Sequence, residues 1–337
     1  MASFNVFQRA DADLLQWIEA EGQSDHVPAG TTLIREGEPD QRVLILRRGT
    51  LVATTANPLH RQERLADLHA GSLVGEMSWL ERRPTVATIS ASTDSEVLAL
   101  SGHSLDQLDR NQPHLAAQLY RLIAQKLALQ IQAQNIWSHR QPSPPMHAEA
   151  LRKVLMLFAN LQEPDVFLLA RLGHLQRVAP QATLMQQGDA LSGIAVVLSG
   201  EAEIQLTLDG STKCVGRAKR GEILGDMTLL LEDQAGASAS VRSPDGMDLL
   251  CIDHAPLLKA LAHDSSLACR FYRGLACMLS QRSRDQLLSH QRAAASQQAE
   301  LDAIDRLDLD ELAAISRAAR HFDWLCRHFQ TGEAASA

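Results

Sequence analysis

The residues that could hold a ligand stand together in one short stretch, Gly75-Glu76-Met77-Ser78. A glycine at position 75 allows the backbone to turn sharply and to open a short helical segment, whose first amide groups have no partner inside the helix. Such amides favour a negatively charged group, and the Glu76 carboxylate can accept hydrogen bonds from a ligand hydroxyl. The stretch therefore predicts a small site for a phosphate and a sugar.

The same pattern occurs a second time, as Gly225-Asp226-Met227-Thr228, at an offset of 150 residues. Upstream of it, Gly37 matches Gly188 and Gly49 matches Gly200, both at an offset of 151. An offset this constant over about fifty residues indicates an internal duplication.

Each copy has the pattern of short strands between turns, bracketed by helices. Strands predicted at 31–35 and 43–46 flank a Gly-Glu-Pro-Asp turn, and short strands at such spacing are typical of a rolled antiparallel sheet. Apolar residues at three- and four-residue spacings predict a closing helix at 114–135 and another from about 267 onward. We expect an α+β, mainly β fold: two antiparallel β-roll (jelly-roll-like) domains, each flanked by helices, with a helical C-terminal tail.

The predicted boundaries follow from these elements. The first domain is expected at 1–137 and a proline-rich linker at 138–148, where three prolines end the preceding helix. The second, more degenerate domain is expected at 149–300. The tail at 301–337 contains a predicted amphipathic helix at 310–329.

The succession of these turns, with Gly71 to Ile89 at its centre, resembles the cyclic nucleotide-binding domain, over about 12–135 and 166–291. This β-roll is shared by bacterial catabolite-activator-type regulators and the regulatory subunits of cAMP-dependent kinase. The resemblance implies that Glu76 holds a ribose 2′-hydroxyl and that the backbone near Met77 and Ser78 holds a cyclic phosphate. The implied ligand-binding residues are Gly75, Glu76, Met77, Ser78, Arg83, Thr85 and Val86, and more weakly Gly225, Asp226, Met227 and Thr228.

One position departs from the family pattern in both copies. The family has an arginine that clamps the phosphate, where this chain has Thr85 in the first copy and Ala237 in the second. A charge-assisted hydrogen bond is worth roughly ten- to hundred-fold in affinity. The resemblance implies that Gly75 to Thr88 is the phosphate-binding cassette of the first copy, with a counterpart that begins at Gly225 in the second. Three alternatives stay open: Arg82 or Arg83 replaces the clamp, the site takes another anion, or both cassettes only close the β-roll. No cofactor is certain; the possible ligands are cAMP, cGMP or a cyclic dinucleotide.

In this family, the closing helix more often forms the contact between the two subunits of a homodimer, which we call the seam, than lies alone on the surface. We expect the helix at 114–135 to have that role here. The alternative is contact with the second domain of the same chain. The predicted 310–329 helix either packs back on its domain or docks on a partner. The expected output is a contact with an unidentified effector protein.

Bulk properties exclude several function classes. The net charge of −8 argues against a nucleic-acid binder, and no apolar run is long enough for membrane insertion. No secretion signal is visible, so a cytoplasmic protein is expected. No catalytic constellation and no metal-ligand spacing occurs, so we predict a non-enzymatic sensor. A ligand-free scaffold is the alternative prediction, and a transcription regulator the second alternative.

Overall fold

The computed structural model describes residues 4–56, 62–140, 156–231, 236–292 and 309–331. Its strands are antiparallel and its helices bracket them, so the α+β fold of two β-rolls is confirmed. Helices account for about 46% of the residues and strands for about 32%. The long closing helices explain why helical residues outnumber those in strands.

The first copy begins with helices α1 (Val6–Arg9) and α2 (Ala12–Glu21), followed by two four-stranded sheets. One sheet has the order β1-β8-β3-β6 and the other β2-β7-β4-β5. The strands are β1 (Gln23–Val27), β2 (Thr32–Ile34), β3 (Val43–Arg48), β4 (Thr50–Ala56), β5 (Gln62–His69), β6 (Leu73–Val74), β7 (Thr88–Ala91) and β8 (Ser95–Leu100).

Alternation of side chains explains how these two sheets form a roll. Along β4, Leu51, Ala53 and Thr55 are buried and their neighbours are partly exposed, as expected when one face of a strand lines a core. The buried faces of both sheets share one apolar cluster. Helix α3 (Glu76–Glu81) lies between β6 and β7, and α4 (Gly102–Asn111) and α5 (Pro113–Arg140) close the copy.

The second copy repeats this plan after α6 (Met156–Asn160) and α7 (Glu163–Leu172). One strand, β11 (Gly193–Leu208), takes the place of β3 and β4, and Gly200 lies where Gly49 separates those two strands. The other elements are β9 (Gly173–Val178), β10 (Thr183–Met185), β12 (Ser211–Lys219), β13 (Ile223–Leu224), α8 (Asp226–Leu230), β14 (Ser240–Arg242), β15 (Met247–Asp253), α9 (His254–His263) and α10 (Ser265–Arg292).

The two closing helices, α5 and α10, lie side by side and parallel. Gln130 and Gln134 donate hydrogen bonds to Ser283, at separations of 153 and 149 residues along the chain. Gln286 donates to Asn135 at a separation of 151 residues. The contacts advance together along both helices, and their separations match the repeat offset. The copies are therefore related by an approximate two-fold arrangement within one chain.

This arrangement corrects the expectation that the 114–135 helix forms a homodimer seam. Its apolar residues, including Leu119, Ile123 and Leu127, are buried in one continuous cluster with Phe271 and Leu279 of α10. The seam is therefore occupied by the second copy of the same chain, which was the alternative.

The last helix, α11 (Leu309–Thr331), packs back on the second copy. Phe322 meets Phe158 of α6 edge to face with ring centroids 5.1 Å apart, and Trp324 meets Phe167 of α7 at 4.3 Å. Arg220 adds an ion pair of 3.0 Å with Asp323. The predicted linker needs a correction at its start, because α5 continues through residue 140. Residues 141–155, 293–308 and 332–337 lie outside the described residues, and with them most of the linker and parts of the predicted second domain and tail.

Candidate functional site

The turn that opens each cassette requires glycine. Gly75 has a φ of +89°, and a Cβ added to it would lie 2.3 Å from the carbonyl oxygen of Arg42. Gly225 has a φ of +81°, and its added Cβ would lie 2.9 Å from the carbonyl oxygen of Gly193. A left-handed backbone and a close approach together exclude other residues here. The two turns start α3 and α8 in the same way.

Glu76, the first residue of α3, is the carboxylate of the first cassette. It is only 2% exposed and forms an ion pair with Lys126 of α5, which is 17% exposed. Lys126 was not among the predicted site residues. A carboxylate this buried is stable only with a partner, and the closing helix supplies that partner.

The second cassette has an equivalent pair. Asp226 is buried at the start of α8, and Arg282 of α10 lies 3.1 Å from its carboxylate. In both copies, therefore, the cassette carboxylate is neutralised by a cation from the closing helix of that same copy. Arg282 was also missed by the sequence analysis.

Thr85, at the position of the missing arginine, is directed at a neighbouring turn. Its hydroxyl donates to the carbonyl oxygens of Arg35 and Glu38, and its amide donates to Glu38 at 3.1 Å. Gly37 in turn donates to the carbonyl oxygen of Thr85. Ala237 makes the same two backbone bonds in the second copy, with Asp189 and Gly188. This position holds the end of the cassette against the turn between the second and third strands.

The remaining predicted residues of the cassettes are mostly buried. Met77 and Ser78 are buried, and the Ser78 hydroxyl donates to the carbonyl oxygen of Arg83. Val86 packs, partly buried, on the core cluster at the seam. In the second copy Met227 is buried, and the Thr228 hydroxyl donates to the carbonyl oxygen of Gly225 at 2.8 Å.

Neither neighbouring arginine takes the place of the clamp in this conformation. Arg82 extends to α4, where it forms an ion pair of 2.5 Å with Asp106, and it also donates to Gln41. The Arg83 side chain lies 3.8 Å from Glu81, the last residue of α3. The alternative in which Arg82 or Arg83 replaces the clamp would require these contacts to change.

Each cassette also contacts the closing helix of the other copy. Ser280 of α10 donates to Glu81 at 2.5 Å, and Arg284 of α10 donates to the carbonyl oxygen of Pro84 at 2.9 Å. In the other direction, Gln125 of α5 donates to the carbonyl oxygen of Leu230 in α8. The sequence gives no local signal for these contacts, because they join residues 105 to 200 positions apart.

Aromatic packing fixes α3 against its own closing helix. Trp79 stacks on Tyr120 of α5 with ring centroids 5.5 Å apart and planes 6° from parallel. The Tyr120 hydroxyl donates to Asp109, which also pairs with Arg273 of α10 at 2.8 Å. Burial raises the pKa of Tyr120 well above its ordinary value, and Asp109 raises it further. This phenol is therefore a structural donor.

The described residues show neither a metal centre nor a membrane-spanning helix. Among the described residues, no group of three or more histidine, cysteine, aspartate or glutamate side chains is placed to hold a metal ion. Of the helices in the described ranges, none has both the length and the apolar character needed to cross a bilayer.

Known proteins resemble this chain over both β-rolls. The model of the cyclic nucleotide-binding domain matches residues 24–112 and 175–264, together more than half of the chain. The cGMP-dependent protein kinase egl-4 of Caenorhabditis elegans is 23% identical over 241 residues, which are 71% of this chain and 26% of the kinase. The cyclic nucleotide-gated potassium channel mll3241 of Mesorhizobium japonicum is 29% identical over 116 residues, 34% of this chain and 31% of the channel.

One solved structure is similar to part of the chain. The catabolite activator protein of Thermus thermophilus is 22% identical, with 50% of this chain and 70% of that chain covered and a TM-score of 0.35. The chain spans less than a third of the length of the kinase and the channel. The two family matches coincide with the two β-rolls and include both glycine turns. The chain therefore belongs to the cyclic nucleotide-binding domain family, as a tandem of two such domains.

Proposed function

We propose that this chain is a non-enzymatic regulatory protein whose first copy binds a small anionic ligand, with a cyclic mononucleotide as the first candidate. The observation that carries the proposal is the Lys126–Glu76 pair at the Gly75 turn. A carboxylate and an ammonium group at one turn provide the acceptor and the cation that a sugar phosphate requires.

The chemistry of the pair explains how a ligand is held without an arginine at position 85. Lys126 contacts one oxygen of Glu76, Oε1, so the other oxygen can accept a hydrogen bond from a ribose hydroxyl. An ammonium group has three donors, and those not used by Glu76 can bind phosphate oxygens. Lys126 thus offers part of the positive charge that Thr85 lacks.

The first copy is better suited to this role than the second. Asp226 is one methylene shorter than Glu76, so its carboxylate extends less far from the glycine turn. The ligand-binding role therefore belongs to Gly75, Glu76, Met77 and Ser78, with Gly225, Asp226, Met227 and Thr228 as a structural counterpart. A cyclic dinucleotide is the other ligand to test.

The output of such a protein is a contact with an effector protein. Because α5 and α10 are packed on each other, a ligand that moves one closing helix also changes the position of the other. The surface presented to the partner then depends on the ligand's preference for one of two states. A cytoplasmic location and the absence of nucleic-acid binding remain part of the proposal.

A second candidate is a ligand-free scaffold. It is favoured by one observation: both cassette carboxylates are already neutralised by the chain's own cations. In this case the pairs serve only to hold the closing helices, and the tandem assembles partner proteins.

Thermal melting separates the two candidates. Millimolar cAMP, cGMP and a cyclic dinucleotide are added in turn to the wild type, and a ligand that binds only the folded state raises Tm. We expect a rise that Glu76→Gln removes and that the matched change in the second copy, Asp226→Asn, preserves. If no ligand raises Tm, the scaffold is the better account.

A further inference from the structure

Arg284 of α10 occupies an unusual environment in the first cassette. Its side chain is 5% exposed, and its Nη2 atom has no hydrogen-bond partner among the described residues. Its Nη1 atom donates to the carbonyl oxygen of Pro84, and its Nε atom lies 2.5 Å from Oε2 of Glu81. A buried donor without a partner costs free energy, so an arginine placed in this way calls for a further acceptor.

The charges around Arg284 show that the acceptor should be an anion. Two guanidinium groups, those of Arg83 and Arg284, share the single carboxylate of Glu81. Burial lowers the pKa of Arg284 from its ordinary value, and Arg83 lowers it further, whereas Glu81 and, more weakly, Asp285 raise it. Two guanidinium groups thus contact one buried carboxylate, and the Nη2 atom of Arg284 is left for a further acceptor.

The position of Arg284 connects this charge to the ligand-binding turn. Ser78 bonds to Arg83 through both its hydroxyl and its carbonyl oxygen, so the segment after α3 folds back along that helix. Pro84 follows Arg83 and precedes Thr85, the position at which the family has its arginine. Arg284 thus approaches the cassette from the other copy, one residue away from the missing guanidinium.

We infer that Arg284 is a ligand-binding residue of the first cassette, and that it supplies from the second copy the guanidinium group that position 85 lacks. The site is then shared between the two copies and selects a ligand with a phosphate group. This inference rests on the proposed function, since it places the ligand at the Gly75–Ser78 turn.

The segment of α10 that carries Arg284 also contacts the cassette of the second copy. Arg282, two residues earlier on α10, pairs with Asp226 of the second cassette, and Ser280 bonds to Glu81 of the first. One segment of α10 therefore contacts both cassettes. A phosphate bound by Arg284 acts directly on the closing helix of the second copy.

The test compares cAMP with adenosine, which has the same base and a ribose but no phosphate. Isothermal titration of the full chain should show that Arg284→Gln weakens cAMP binding by about ten- to hundred-fold. Adenosine affinity should change by less than about threefold, because adenosine has no phosphate group for the Arg284 guanidinium to contact. Equal cAMP affinity in wild type and variant, or an equal loss for adenosine, overturns the inference.

Two further variants separate charge from packing. Arg284→Lys keeps the charge and should retain more cAMP affinity than Arg284→Gln. If the glutamine variant does not fold, the lysine variant is compared with the wild type instead. Thr85→Arg restores a guanidinium within the first copy and should rescue cAMP binding in the Arg284→Gln background. The backbone bonds at position 85 tolerate the change, since Ala237 makes the same bonds with a different side chain. Failure of the rescue, with a folded double variant, contradicts the inference.

A final measurement distinguishes this inference from the proposed function. Inorganic phosphate at tens of millimolar should raise the Tm of the wild type, and the rise should be absent in Arg284→Gln. If no nucleotide binds but this phosphate effect is present, the proposed function fails and the anion site stands. If phosphate stabilises both proteins equally, or neither, the inference is wrong.

Discussion

Asn135 of α5 accepts a hydrogen bond of 2.7 Å from Gln286 of α10, and the two residues are 151 positions apart. The offset that relates Gly37 to Gly188 along the chain is thus also the separation of two residues in contact. Equivalent positions of the two copies meet at the seam. The chain forms within itself the paired-helix arrangement that the sequence led us to expect between two chains.

The seam should contribute a large part of the free energy of unfolding. Leu127 is fully buried in the cluster that joins the two copies, so Leu127→Ala should lower the free energy of unfolding by about 2–5 kcal/mol. Urea denaturation followed by circular dichroism measures this change. Because the cluster is continuous, both copies should lose stability together.

A matched control is Leu65→Ala on β5, where the side chain is 38% exposed. That change should alter the free energy of unfolding by no more than about 0.5 kcal/mol. Two separate unfolding transitions, of which Leu127→Ala shifts only one, would argue that the copies are independent.

The Lys126–Glu76 pair should show strong energetic coupling. Lys126→Met leaves the buried Glu76 carboxylate without its cation, and we expect a loss of about 2–3 kcal/mol, since Lys126 keeps some solvent contact. Adding Glu76→Gln to that variant should recover part of the loss. A double-mutant cycle from urea denaturation measures the coupling. Additive effects of the two substitutions would contradict the pairing.

The rate at which the cysteines of α10 react with a thiol reagent should show whether α10 stays packed against the first copy. Burial raises the pKa of Cys269 to about 12 and that of Cys277 to about 11, and both residues lie on α10 beside the first copy. At pH 8 only about one Cys277 in a thousand is a thiolate, and the exposed Cys214 should react far sooner with a thiol reagent. The unfolded thiols ionise above their ordinary pKa of 9.0 while the folded ones stay protonated, so the free energy of unfolding should fall as the pH rises above about 9.

Peptide mapping after a short exposure to iodoacetamide identifies the modified cysteines. Rapid labelling of Cys277 in the native protein would show that α10 separates from the first cassette. A ligand that changes the labelling rate of Cys277 would show that the seam responds to binding.

The fold was predictable because local rules determine it. Gly75 and Gly225 each need a left-handed backbone and a close neighbour, and such positions are visible as glycines in a repeated pattern. The closing helices follow from apolar spacing, and α5 was predicted at 114–135 and is observed as Pro113–Arg140. Repetition made these local signals stronger, because each appears twice.

The contacts of the site were less predictable, because they depend on packing between distant segments. Thr85 was expected at the ligand from its place in the family pattern, but the structure directs its hydroxyl to the Arg35–Glu38 turn. Lys126 had one available signal, since it is a charged residue between Ile123 and Leu127 in an apolar stripe. Arg284 had none, because its role depends on the parallel register of two helices that the sequence did not reveal.

The most direct test of the central claim is calorimetric titration of cAMP, cGMP and a cyclic dinucleotide into the full chain, repeated on Glu76→Gln and Asp226→Asn. The account predicts that at least one of these ligands binds with one site per chain. Its affinity should fall at least tenfold in Glu76→Gln and stay within about twofold in Asp226→Asn, since an ionic acceptor is lost only from the first cassette. Absence of binding by all three ligands, or an affinity unaffected by Glu76→Gln, would contradict the account.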